Sequence, residues 1–171
     1  MAWGPTASQA GTVPGVSPEL SVYEAQLRWL LGQVAGIIEG ADDHALVVQP
    51  PGNLEGNNLL AIAKHATAVT RAYCLGIACG QDVSRDRSTE FAAELAERAA
   101  ICHDLDVLAE NIRSAFGKLD AGTLDEKVLP SRALYGQGTP REMTRREAIV
   151  ESIRHLGIHL GEMRLTKSLL A

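Results

Sequence analysis

Five histidines, His44, His65, His103, His155 and His159, are the side chains of this sequence best placed to do chemistry near neutral pH, and two of them fall four residues apart. In a helix, positions i and i+4 differ by ~40° about the axis and ~6 Å along it, so His155 and His159 can reach one metal ion together. Ile153, Leu156, Leu160 and Met163 surround the pair, which places the imidazoles at the border of an inward-facing stripe. The spacing alone equally suits two half-buried histidines satisfied by backbone or carboxylate partners. A third imidazole changes that balance. His65 sits among Ile62, Ala63, Ala66 and Val69, on or beside an inward face, and packed helices can aim such a residue at the pair. Three imidazoles leave Zn²⁺ or a similar divalent ion with open positions for water, the arrangement of catalytic rather than structural sites, and that water becomes a nucleophile near neutral pH.

Other reactive residue types have plainer readings. Glu151, one turn before His155, and Glu162, one turn after His159, are positioned to accept the second N–H of a metal-bound imidazole, but they equally suit a polar face beside Arg154 and Arg164. Cys102, His103 and Asp104 are adjacent, so on a helix they point ~100° apart and do not share an ion. Cys74 and Cys79, five apart, diverge, which speaks against a metal clip or a disulfide. Arg85-Asp86-Arg87 reads as a solvated turn with local pairing rather than an anion site. His44 falls in a loop, and Trp29 reads as interface or core-edge packing.

The elements that position these residues are helical. Over residues 19–39, Leu20, Tyr23, Leu27, Leu30, Leu31, Val34, Ile37 and Ile38 recur at threes and fours, with Ser17-Pro18 as the start signal and Gly40 at the end. Residues 42–58 carry Pro50-Pro51-Gly52 and read as a connection. A second long helix is expected over 57–79, closed by Gly80, and a third helical region runs from a Ser88/Thr89 cap to about residue 119, with Phe91, Leu95 and Ile101 on its inner face and room for a break. Residues 120–140, rich in Gly and Pro, are expected to form a long loop or a short irregular hairpin. Thr144 with Glu147 three positions on marks the start of a last helix that carries the histidine pair. Four long amphipathic helices predict an all-α, four-helix bundle with long loops, made of a flexible lead-in (1–17) and one domain (18–171).

Composition sets the outer limits. The chain has 171 residues, 46% apolar and 22% charged, with a formal charge of −5, which fits one globular domain and argues against nucleic-acid binding, since that requires clustered Lys and Arg. No apolar run approaches the ~20 residues that cross a bilayer, and the start lacks a basic region followed by an apolar core, so no membrane association and a cytoplasmic location are expected. Three cysteines, an odd number, argue against a disulfide framework as the source of stability. No glycine motif has the strand-to-helix context that cradles phosphate.

Three segments together resemble the DinB/YfiT-like superfamily of metal-dependent enzymes. They are Asn57-Asn58-Leu59 through Ala63-Lys64-His65, then Asp82 through Arg85-Asp86-Arg87 to Glu90-Phe91, and His155-Leu156-Gly157-Ile158-His159-Leu160-Gly161-Glu162-Met163-Arg164-Leu165-Thr166. In that family a histidine of the second helix and a His-xxx-His of the fourth bind a divalent metal, which by position implies His65, His155 and His159. The resemblance further implies an up-down-down-up bundle, a homodimer, and zinc or nickel as the ion. It also implies a small-molecule substrate handled by hydrolysis or by thiol-dependent transfer or isomerisation, with a low-molecular-weight thiol as a candidate partner. Where the family often has a tryptophan or another histidine near the second-helix ligand, this chain has Ala63 and Ala66, an expected gap. The substrate cavity is expected over the metal between the second and fourth helices, closed by the loop 129–140. The competing reading is a non-catalytic, stress-associated bundle that binds a metal or ligand without turnover.

Overall fold

In the computed structural model, which describes residues 17–49 and 57–170, helix α1 (Pro18–Glu39) begins at Ser17, whose hydroxyl accepts the Leu20 N–H at 3.2 Å. Pro18 occupies the first turn, where its missing donor has no helical partner to lose. The expected lead-in, apart from Ser17, and the Pro50-Pro51-Gly52 connection lie outside the described residues. The inward stripe of α1, including Leu20, Leu27, Leu31, Val34 and Ile38, is buried as its period requires. The far end of α1 is capped from another element, because the Arg98 guanidinium donates to the carbonyls of Ile38 and Glu39, both at 3.0 Å.

The first connection is not wholly irregular. It contains a short helix α2 (Asp43–Val47), started by the Asp42 carboxylate accepting the Ala45 N–H at 2.8 Å. Helix α3 (Leu59–Thr70) follows, capped by Asn58 on the Ala61 N–H at 2.8 Å. Beyond it the expected single helix changes geometry: Arg71–Ala78 is a π-helix, closed by the Cys79 N–H donating to the Cys74 carbonyl at 3.2 Å. Apolar spacing does not separate these two geometries here, since Ala72 to Ala78 are all buried and present no single face whose period could be read. The rod ends at Gly80, whose φ of +68° lies in the region that only glycine enters cheaply.

The third helical region is shorter than its sequence pattern implies. Single 3₁₀ turns occupy Arg87–Thr89 and Leu95–Glu97, and the regular helix α4 (Arg98–Phe116) starts only after them. The Ser88/Thr89 cap is therefore a correction, as is the inner-face placement of Phe91 and Leu95, which stand 38% and 37% exposed. Glu97 closes a capping box instead, accepting the Glu94 N–H at 2.8 Å. In the glycine-rich stretch, strand β1 (Lys127–Val128) pairs antiparallel with β2 (Met143–Thr144) around a short helix α5 (Arg132–Tyr135), so the irregular-hairpin expectation describes it well. Thr144 then starts α6 (Arg145–Leu170) as expected: its hydroxyl accepts the Glu147 N–H at 3.0 Å, and its own N–H donates to Glu147 Oε2 at 2.6 Å.

The described chain is all-α apart from this two-stranded ribbon. Helix α1 packs on α4 and α6, and the α3–π rod packs on the same two helices from the other side. Contacts at the ends fix the directions. Arg146 at the start of α6 reaches Glu19 at the start of α1, and Lys167 near its end reaches the Gly40 carbonyl, so α1 and α6 are parallel. Arg98 at the start of α4 meets the end of α1, and Arg145 donates to the Ala78 carbonyl at the end of the rod at 2.7 Å, so those pairs are antiparallel. One apolar cluster runs through all four rods, with Phe116, Leu105, Ile62 and Leu156 among its buried members. No described helix is long and apolar enough to cross a membrane.

Candidate metal centre

Antiparallel packing of α3 against α6 brings His65 to the turn that carries His155 and His159. The ring centroids lie 5.1 Å (His65–His155), 5.0 Å (His65–His159) and 4.5 Å (His155–His159) apart. One nitrogen from each ring falls within 4.8 Å of the other two, a spacing that a single ion can bridge. Among the described residues this cluster has three members and no fourth protein ligand. His65 is buried, while His155 and His159 are half-buried, so the cluster lies at the edge of the core rather than sealed within it.

Carboxylates set the orientation of two of the rings. His65 Nδ1 lies 2.7 Å from Glu90 Oε2, and His159 Nδ1 lies 2.7 Å from Glu162 Oε2. A carboxylate at Nδ1 favours a proton on that nitrogen, so in the neutral ring Nε2 is the atom with the free lone pair, the arrangement that metal-bound imidazoles ordinarily have. Glu162 is therefore a histidine partner rather than a bystander on a polar face. Glu151 instead pairs with Arg154, as its surface reading holds, with Arg154 Nε donating to Oε2 at 2.8 Å. His155 differs from both other rings: its Nδ1 is buried without a hydrogen-bond partner among the described residues. Burial, reinforced by the His159 and His65 charges, pushes its pKa down to about 4, so it is the neutral, ligating form at physiological pH.

Glu90 is the residue that sequence reasoning missed. Its carboxylate accepts Arg85 Nε at 2.6 Å and Arg85 Nη2 at 3.0 Å while holding His65, and the Arg85 side chain is only 2% exposed. Burial opposes the charged carboxylate, yet the hydrogen bonds from His65 and Arg85 and the guanidinium charge hold its pKa at about 2. The solvated-turn reading of Arg85-Asp86-Arg87 is thus corrected for Arg85. It stands for Asp86, whose carboxylate accepts the Ser88 N–H at 2.9 Å. Phe91, displaced from its expected helical stripe, stacks on His65 with centroids 4.6 Å apart. The sequence signal for both residues was weak, because an Arg and a Glu five apart in a loop obey no period.

A cavity of about 360 Å³ opens beside His65 and His155, between the α3–π rod and α6. Tyr135 and Gln137 of the loop expected to close it form part of its wall, together with Tyr73 of the π-helix. The same loop is latched to the site through Arg85, whose Nη1 donates to the Leu134 carbonyl at 3.0 Å. Gly136, at φ +90°, lies so close that an added Cβ would sit 2.7 Å from Arg85 Nη1. Ala63 and Ala66 are wholly buried in the apolar core and do not line the cavity, so the expected gap beside His65 is filled. Cys74, Cys79 and Cys102 are free thiols, and His44 and His103 take no part in the cluster. No family model matches the chain, and no curated protein is significantly similar to it.

Proposed function

We propose that His65, His155 and His159 hold a divalent ion, zinc or nickel, in a DinB-like four-helix bundle that works as a metal-dependent hydrolase or thiol-dependent transferase or isomerase on a small molecule. The convergence of three imidazole nitrogens within 4.8 Å carries this reading. The donor set fits such an ion on two further counts. Two rings already have their Nδ1 paired with carboxylates, and the third leaves a buried Nδ1 with no hydrogen-bond partner among the described residues. Up-down-down-up rod directions support the DinB-like bundle, and homodimerisation and a cytoplasmic location belong to the same reading.

Bound there, the ion would supply Lewis acidity that lowers the pKa of a water or thiol in its open positions. The chain's own residues orient and enclose. Glu90 and Glu162 fix the rings of His65 and His159, Arg85 fixes Glu90, and the loop carrying Tyr135 and Gln137 forms part of the cavity wall. The three-ligand set and adjoining cavity favour turnover over a purely structural site, which ordinarily has four protein ligands. Elemental analysis by inductively coupled plasma mass spectrometry tests the centre. About one zinc or nickel per chain, lost in His155→Ala, is expected; no metal in the wild type after reconstitution with either ion would overturn it.

A further inference from the structure

The cavity beside the histidines has the wrong charge for an acidic protein. The chain carries a formal charge of −5, yet three arginines, Arg85, Arg87 and Arg154, line this cavity against one glutamate, Glu151. Two of the three are committed. Arg85 is bound to Glu90 on two nitrogens, and Arg154 forms an ion pair with Glu151. Arg87 pairs with no carboxylate among the described residues: it makes one hydrogen bond, from Nη2 to Gln137 Oε1 at 3.2 Å. Its guanidinium carbon lies 5.0 Å from the centroid of Phe91, the ring that stacks on His65. Phe91 and Gln137 thus hold a planar five-donor group at the cavity wall, one aromatic ring away from the histidine cluster, with most of its donors unused.

We propose that this cavity takes a small organic oxyanion, a carboxylate or phosphate ester, whose acid group is received by Arg87 while the rest of the molecule extends toward His65 and His155. A guanidinium matches either oxyanion through two parallel N–H donors, which a lysine would not provide, and its planar face suits the Phe91 ring beneath it. A volume of about 360 Å³ suits a small metabolite. Hydrogen bonding to Gln137 ties Arg87 to the loop, so the acid-binding group and the cavity's cover are one unit. The proposal rests on the reading of this site as a small-molecule centre, but its own chemistry does not need the ion.

Isothermal titration of the full chain, zinc-loaded and chelator-stripped, with succinate, inorganic phosphate and neutral succinamide provides the test, with zinc content measured on every sample. Succinate or phosphate is expected to bind at least tenfold more tightly than succinamide, and the tighter of the two identifies the oxyanion. Arg87→Gln should weaken that binding at least tenfold with zinc per chain unchanged, and Arg87→Lys should recover part of the loss, which separates a charge effect from misfolding. Equal binding of succinamide, no detectable binding of either anion, or an Arg87→Gln chain that binds succinate like the wild type would overturn the proposal. A wild type without zinc whose succinate binding still depends on Arg87 would remove the metal centre and leave the oxyanion site standing. The opposite pattern would do the reverse.

Discussion

The Glu90 carboxylate joins a buried imidazole to a buried guanidinium, and either neighbour alone would be costly to leave unpaired. Glu90→Gln keeps the size and an acceptor oxygen but removes the charge. The Arg85 charge then lies uncompensated in the interior, and a broken buried pair costs about 3–5 kcal/mol, which urea denaturation should register. Metal affinity should fall about 10- to 100-fold in competition with a chromogenic chelator, because the His65 ring then faces a neutral amide in place of the charged carboxylate that orients it and raises its basicity. Glu162→Gln should lower affinity while leaving stability nearly unchanged, since its carboxylate is 41% exposed and holds no buried cation. The thiols give a second residue-scale prediction. Burial pushes Cys74 up to about 12 and Cys79 up to about 11, and it raises Cys102 as well, so little thiolate exists at pH 8. A thiol-reactive dye should label Cys74 and Cys79 at negligible rates in the folded protein, whereas all three cysteines should react in denaturant.

Elements place these residues through their ends more than their middles. The Thr144–Glu147 capping box fixes where α6 starts, and everything on that helix, including both histidines, keeps step with it. Thr144→Ala should cost about 0.5–2 kcal/mol in thermal or denaturant unfolding, the ordinary worth of such a cap. The loop around α5 matters in another way, because the Arg85 contact to the Leu134 carbonyl connects the cavity's cover to the carboxylate behind His65. Gly136→Ala both strains a backbone at φ +90° and drives a methyl group against Arg85. A loss of about 1–3 kcal/mol is expected from the backbone alone, with a weakened metal affinity that a substitution at Gly138, also at positive φ but facing open space, should not share.

Acid sensitivity belongs to the whole molecule, because it compares the folded chain with the unfolded one. In the metal-free protein His155 has its pKa pushed from 6.5 down to about 4, so between those values the unfolded chain binds a proton that the folded one refuses. Stability should therefore decline as pH falls from about 6.5 to 4, and the decline from this residue should stop below. Glu90 acts in a lower window: its contribution is present above 4.5 and is lost as the pH falls toward 2. Melting temperatures across pH 3–8, for the wild type and for His155→Ala, check both windows, and the upper one should vanish in the variant. Excess zinc should raise the melting temperature near pH 7 by mass action and chelation should return it to the metal-free value.

Local physics is what the linear chain encodes directly. Periods of 3.6 residues, caps such as Ser17 and Thr144, and the Gly80 stop determined an all-α molecule with its first, second and last long helices in nearly their observed places, since each signal acts within a few residues of itself. The His155–His159 pair was legible for the same reason, being one turn apart on one helix. The π geometry of Arg71–Ala78 was not, because Ala72 to Ala78 are buried on every side and leave no facial period to read. Nor was the delay of the third helix to Arg98, where the loop before it gives up helical hydrogen bonds to send Glu90 and Phe91 to His65. Only the packing of α3 against α6 decided that His65 meets the pair. Only the fold decided that Arg85 is buried on Glu90 while Arg87 faces the cavity, because contacts between residues far apart in the chain, and the charges they offset, have no period for a sequence to display.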